Sequence, residues 1–258
     1  MNEMQTVFAQ HPPHEPLEKI GARGRIGLVA LGTDVNSETD LRRMLPDGVE
    51  IFTNRVSNQN PVTAENLRAM APDITRAAAG ILPGDSLDLL IYACTSGTAV
   101  IGEREVFRLL RAARPEWGEL PCTTPVSAAL AALAHFGAKR ISLLTPYTEP
   151  VNRELAAFFH ARGITPLNVY GFGIAGDDEM SGVTRASIVR AARAACREDA
   201  DLLFISCTAL RAAQAVEEIE TDIGKPVVTS NQAMVWHALQ LLRSSPAPRA
   251  GFGKLFSA

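Results

Sequence analysis

Cysteine is scarce in this chain of 258 residues. There are four, none in a CxxC pair and none at the cysteine–histidine spacing of a structural zinc site. So few cysteines exclude a secreted disulfide scaffold at this length, and reduced thiols in the cytoplasm are expected. Clustered positive charge is missing too. Lys and Arg number 25 against 28 Asp and Glu, a formal net charge of -3. No basic patch for neutralising phosphates results, so nucleic acid is not an expected partner. No run supplies the ~20 uncharged apolar residues of a membrane span, so no membrane association is expected. The first 23 residues contain Pro12, Pro13, Pro16, His11 and His14 but no apolar stretch. They are expected to form a mobile tail, not a signal peptide.

What is present is ordinary globular material, 47% hydrophobic and 21% charged. That suffices for a large core, as one domain or two small lobes. Strand-like apolar runs fall at Arg25–Ala30, Val49–Asn54, Leu87–Ala93, Pro121–Thr124, Arg140–Thr145, Ile164–Val169, Asp201–Ser206 and Pro226–Thr229. Stretches of helical period lie between them, among them Thr63–Ala79, Glu103–Arg114, Val126–Phe136, Pro150–Arg162, Arg185–Cys196 and Leu210–Ile219. Such alternation predicts an α/β fold of βαβ units, with helices on both faces of parallel sheet.

A second pattern overlies the first. Asp88-Leu-Leu-Ile-Tyr-Ala-Cys94-Thr95 is echoed by Asp201-Leu-Leu-Phe-Ile-Ser-Cys207-Thr208, 113 residues later. Arg25-Ile-Gly-Leu-Val is echoed by Arg140-Ile-Ser-Leu-Leu at an offset of 115, which Gly48-Val and Gly163-Ile share. Three anchors at nearly one spacing imply an internal duplication. The chain is therefore expected to hold two similar lobes, each with a buried strand ending in Cys-Thr.

In open parallel sheets the ligand crevice lies beyond the carboxyl ends of the strands. Both Cys-Thr pairs are expected there, each at the start of a helix. Free N–H groups and the helix dipole can then lower a thiol pKa from about 8.5 toward neutrality. Thr95, Ser96 and Thr208 could hold a carboxylate or an enediolate. A cysteine ending a core strand is ordinarily a small buried hydrophobe. Two at matching positions of a duplication argue for chemistry instead. Cys122 and Cys196 have no such counterpart and are expected to be structural. Gly171-Phe-Gly173-Ile-Ala-Gly176 matches G-x-G-x-x-G after a strand but lacks the downstream context of a dinucleotide site, so no nicotinamide is implied.

The paired Cys-Thr strand ends resemble the aspartate/glutamate racemase superfamily, and within it the branch of maleate cis-trans isomerases and arylmalonate decarboxylases. Leu120-Pro-Cys-Thr-Thr, Ala138-Lys-Arg-Ile-Ser-Leu-Leu-Thr-Pro-Tyr147, Val151-Asn152-Arg-Glu-Leu and Gly251-Phe-Gly-Lys-Leu-Phe256 carry the likeness. Tyr92-Ala-Cys-Thr-Ser-Gly-Thr98, Leu203-Phe-Ile-Ser-Cys-Thr-Ala-Leu-Arg211 and Gly224-Lys-Pro-Val-Val-Thr-Ser-Asn-Gln232 are most similar to the ectoine-utilization proteins of this branch.

The resemblance implies two pseudo-symmetric flavodoxin-like lobes, each a parallel sheet flanked by helices. One would comprise residues 24–118 plus 226–258 and the other 119–225. It also implies a catalytic pair, Cys94 and Cys207, with Thr95, Ser96, Tyr147 and Thr208 binding the substrate carboxylate and no metal or other cofactor. Asn152, just inside a helix, is expected to be a cap. Two departures bear on the substrate. The decarboxylases carry glycine where this chain has Cys94. The maleate isomerases carry asparagine where it has Asp34, whose charge would repel a second carboxylate and favour an amine or amide; Asp34 can equally be a helix cap. The expected function is cofactor-independent racemisation or cis-trans isomerisation of a small carboxylic or amino acid. An arylmalonate-type decarboxylase and a non-catalytic two-lobed binding protein are the alternatives, and homo-oligomer formation is left open.

Overall fold

The computed structural model describes residues 9–242 and 247–257. The expected tail is thus described only from residue 9, and residues 1–8 lie outside the described residues. The strands are β1 (Gly24–Leu31), β2 (Val49–Val56), β3 (Leu89–Tyr92), β4 (Cys122–Thr123), β5 (Arg140–Tyr147), β6 (Thr165–Ile174), β7 (Leu202–Ile205) and β8 (Val227–Thr229). The helices in the first half are α1 (Ser37–Met44), α2 (Ala64–Ala69), α3 (Ala71–Ala79), α4 (Thr95–Ile101), α5 (Glu103–Arg111) and α6 (Pro125–His135). Those in the second half are α7 (Glu149–His160), α8 (Asp177–Gly182), α9 (Arg185–Ala195), α10 (Val216–Ile223), α11 (Ser230–Leu241) and α12 (Lys254–Ser257).

The strands form two four-stranded parallel sheets, ordered β2-β1-β3-β4 and β6-β5-β7-β8. The second order repeats the first, as the duplication predicts. Every residue of β1, β3, β7 and β8 is buried, which a parallel sheet covered by helices on both faces requires. The repeated Arg and Asp set the strand register identically in each sheet. Asp88 Oδ2 accepts the Arg25 N–H at 2.8 Å while the Asp88 N–H returns to the Arg25 carbonyl. Asp201 Oδ2 does the same for Arg140 at 2.8 Å, and its own N–H returns to the Arg140 carbonyl.

Two expected helices are corrected. The Thr63–Ala79 stretch is two helices that break at Met70, because Pro72 sits in the first turn of α3 and cannot donate back into a continuing helix. The Leu210–Ile219 stretch becomes helical only from Val216, after a short 3₁₀ turn at Ala213–Ala215. Upstream, the carbonyls of Thr208 and Leu210 accept side-chain amides, from Asn36 and Asn231 for Thr208 and from Asn36 for Leu210. Those acceptors are occupied and do not start a helical ladder.

The two sheets also cut across the expected lobe division. The expected division put β4 with the second lobe and β8 with the first, yet β4 pairs with β3 and β8 with β7. The crossing is made by the element after β8. Helix α11 buries Met234, Val235, Ala238 and Leu239 against Ile26, Leu28, Ala30, Leu89 and Ile91 of the first sheet. Its N-terminus is fixed by a capping box, in which Thr229 accepts the Gln232 N–H and Gln232 accepts the Thr229 N–H.

Candidate active site

The lobes meet at the carboxyl ends of β3 and β7, where one cavity is lined by Asp34, Cys94, Thr95, Ser96, Tyr147, Cys207 and Thr208. All seven residues singled out from the sequence are therefore in one place. The cavity leaves only about 30 Å³ accessible to the centre of a water molecule, room for about two waters.

Cys94 caps α4, and its sulfur accepts the Gly97 N–H at 3.2 Å. Residue 97 must be glycine for this approach, since a Cβ there would stand 2.7 Å from the sulfur and 2.9 Å from the Tyr92 hydroxyl. The Tyr92 hydroxyl donates to the Met70 sulfur at 3.8 Å. Cys207 is held differently. No helix begins at Thr208, so the expected helix start is absent. The chain instead turns sharply at Cys207, whose φ of 91° is strained for a residue with a side chain. Its backbone N–H donates to Ser230 Oγ at 3.0 Å, and that oxygen lies 2.9 Å from Thr95 Oγ1. Beside it the Tyr147 hydroxyl accepts a hydrogen bond from the Ser206 hydroxyl at 3.4 Å.

The expected lowering of the thiol pKa values is overturned. Burial pushes Cys94 up to about 12, against the opposing pull of the Gly97 N–H. Burial likewise pushes Cys207 up to about 12, against the Ala209 N–H and the Tyr147 hydroxyl. The desolvation of a charged sulfur in a closed cavity outweighs the polar groups around it. Both thiols are neutral in this closed state. Tyr147, also pushed well above the usual tyrosine range by burial, stays a proton donor.

Asn152 is not a helix cap. Its Oδ1 accepts the Thr145 hydroxyl at 2.6 Å and its Nδ2 donates to the Tyr147 carbonyl at 3.0 Å, tying down the strand end that carries Tyr147. Asp34 lines the cavity, but its carboxylate is engaged locally. Oδ1 accepts the N–H groups of Asn36 and Ser37 at 2.8 Å each, and Oδ2 accepts the Ser37 hydroxyl. Asp34 thus accepts the first N–H groups of α1 from two residues ahead of its N-cap, Asn36, while it also lines the cavity.

Two residues escaped the sequence reading. Asp177, at the end of the glycine-rich stretch after β6, enters the cavity from the second lobe. Its Oδ2 accepts the Thr33 hydroxyl and an Asn58 N–H, both at 2.8 Å, and its negative charge acts on both thiols. Adjacent acids after a glycine-rich strand end, Asp177 and Asp178, were the available signal. Asp40, 1% exposed, accepts the Asn36 and Asn231 amides at 3.0 and 2.9 Å, and both amides also clamp the Thr208 carbonyl. No sequence pattern distinguishes Asp40 from a solvated helix residue.

Among the described residues no helix is long and apolar enough to cross a membrane, and no group of three or more His, Cys, Asp or Glu is placed to hold a metal. Comparison with known proteins agrees with the geometry. The chain is 38% identical over 141 residues to the arylmalonate decarboxylase of Bordetella bronchiseptica, a match spanning 53% of this chain and 58% of that one. It is 27% identical over 241 residues to the maleate isomerase of Nocardia farcinica, spanning 90% and 94%. In structure it is similar to a liganded double mutant of arylmalonate decarboxylase, with a TM-score of 0.81 at 27% identity over 90% of this chain and 98% of that one. The family model described as arylmalonate decarboxylase matches residues 104–256, more than half of the sequence. This chain belongs to the arylmalonate decarboxylase family.

Proposed function

We propose that this chain is a cofactor-independent two-cysteine isomerase, a racemase or a cis-trans isomerase, acting on a small carboxylic or amino acid. One observation carries the reading: thiols from equivalent strand ends of a duplicated lobe open on the same cavity. A substrate carbon between them is reached from two faces, which proton transfer with inversion requires. In the racemase mode one sulfur, which has first given its proton to solvent, takes the α-proton, and the other thiol gives its own proton to the opposite face. One C–H bond breaks and one forms, and the two sulfurs exchange protonation states. The intervening enediolate is held by the Thr95, Ser96 and Thr208 groups and by the Tyr147 hydroxyl. In the cis-trans mode the Cys94 thiolate adds to a double bond and the Cys207 thiol protonates the neighbouring carbon. Rotation about the new single bond and reversal of both steps release the isomer and restore both sulfurs.

The maleate isomerase relative supports the isomerase mode. An amino-acid derivative as substrate rests on the motif resemblance read from the sequence alone. A second reading, decarboxylation with Cys207 as the only proton donor, is favoured by one observation: the arylmalonate decarboxylase relative is 38% identical over 141 residues, against 27% over 241 for the maleate isomerase relative. The test is incubation with maleate and with small amino acids in D₂O, followed by proton NMR and intact-protein mass. Deuterium on the α-carbon supports racemisation, and a Cys94 adduct with an unsaturated acid supports cis-trans isomerisation. Cys94→Ala and Cys207→Ala each abolish turnover in either mode. Full activity in Cys94→Ala defeats the two-cysteine reading in favour of decarboxylation, and neither label nor adduct with any small acid favours a binding protein.

A further inference from the structure

The cavity is one-sided in charge. Among the residues that line it there is no Lys, Arg or His, while two carboxylates, Asp34 and Asp177, do line it. Asp34 is taken up by the N–H groups and hydroxyl at the start of α1. Asp177 is not. It is 8% exposed, and its Thr33 and Asn58 donors both converge on Oδ2. Among the described residues no donor reaches Oδ1. The Asp177 backbone N–H is fixed on Asn60 Oδ1, and the neighbouring Ala175 carbonyl accepts the Val62 N–H at 2.7 Å. The carboxylate of this second-lobe residue is therefore anchored to the first lobe through one oxygen, its other oxygen has no donor, and Asp177 lines a cavity that also contains both thiols.

An anionic substrate group beside that oxygen meets an uncompensated negative charge in a site nearly without water, where charge interactions are strong. A group that carries positive charge meets a partner there, and its hydrogen-bond donors complete the acceptor. We propose that Asp177 is the specificity-determining residue of the site, selecting an acid that carries an ammonium or other cationic group in addition to its carboxylate, and rejecting a dicarboxylate. The proposal deepens the reading of the cavity as a substrate site but does not depend on which reaction follows.

Binding, not turnover, tests it. Isothermal titration with 4-aminobutyrate and with succinate compares a cation and an anion at the far end of a short monocarboxylate chain. The wild-type protein is expected to bind 4-aminobutyrate at least tenfold tighter than succinate. Asp177→Asn, which keeps the size and the acceptor for Thr33 and Asn58, is expected to shrink that ratio at least tenfold. An unchanged ratio in Asp177→Asn, or a wild type that prefers succinate or binds neither acid, overturns the proposal. A ratio that collapses in Asp177→Asn while no acid is ever turned over sustains the proposal and counts against the enzymatic reading alone.

Discussion

The backbone N–H of Cys207 donates to the hydroxyl oxygen of Ser230 at 3.0 Å. Ser230 opens α11, the helix that covers the first sheet, whereas Cys207 ends a strand of the second. The turn that presents one candidate catalytic thiol is thus held by the helix that closes the opposite lobe. The same Ser230 oxygen contacts Thr95, beside the other thiol, at 2.9 Å. Ser230→Ala leaves the buried Cys207 N–H unsatisfied, at a cost of about 1–3 kcal/mol. Turnover is expected to fall at least tenfold, and Ser230→Thr, which keeps the hydroxyl, to recover most of it. Denaturant midpoints and initial rates of the two variants check this, and a Ser230→Ala protein with wild-type rates refutes the bracing role.

The φ of 91° at Cys207 predicts an unusual order of stabilities. Cys207→Gly relieves the backbone strain and Cys207→Ala retains it, so the glycine variant is expected to be the more stable by about 1 kcal/mol. Both lack the thiol and neither turns over substrate. Thermal melts of the pair read the difference directly. If alanine is the more stable, the turn is not strained in solution.

The raised thiol pKa values set an alkaline limit. Each is about 12 in the folded protein against an ordinary value of 9.0. A raised folded pKa means that the native state keeps a proton the unfolded chain loses, so stability is full below about pH 9 and falls as pH climbs toward 12. At pH 10 the loss is about 1 kcal/mol per thiol. Urea titrations at pH 8 and pH 10 should show a steeper decline for the wild type than for a Cys94→Ala/Cys207→Ala double variant. Parallel declines disprove the assignment.

Exposure orders the four thiols. Cys196 is half-buried, while Cys94, Cys122 and Cys207 are buried, and burial pushes Cys122 up to about 11. Iodoacetamide at pH 8 is therefore expected to modify Cys196 first, at least tenfold faster than the others, without loss of activity. Peptide mapping against time gives the order. Faster labelling at Cys94 or Cys207 than at Cys196 contradicts the closed, neutral-thiol state.

The duplication was legible in the sequence because the repeated residues do structural work that tolerates little else. Arg25 with Asp88 and Arg140 with Asp201 each join two adjacent strands through reciprocal main-chain and carboxylate contacts. Cys94 and Cys207 were legible for the same reason, as strand ends at one offset. The state of those thiols was not. A local motif shows the N–H groups around a sulfur, but burial between the lobes and the charge of Asp177 come from residues far away in sequence. Asp34 could be read two ways because its charge was visible and its neighbours' N–H groups were not. The path after Cys207 was misread as helix because the amides that hold its carbonyls, Asn36 and Asn231, lie at least 20 residues away in sequence.

The crossing of α11 also has a consequence for synthesis. Ile26, Leu28 and Ala30 leave the ribosome early, but Met234, Val235, Ala238 and Leu239, which cover them, are made some two hundred residues later. Through most of translation the apolar face of the first sheet therefore lacks its cover and is a surface for chaperones to hold. A nascent chain stopped at Asp201 should be captured by such a chaperone, and one extended past Leu242 should be released.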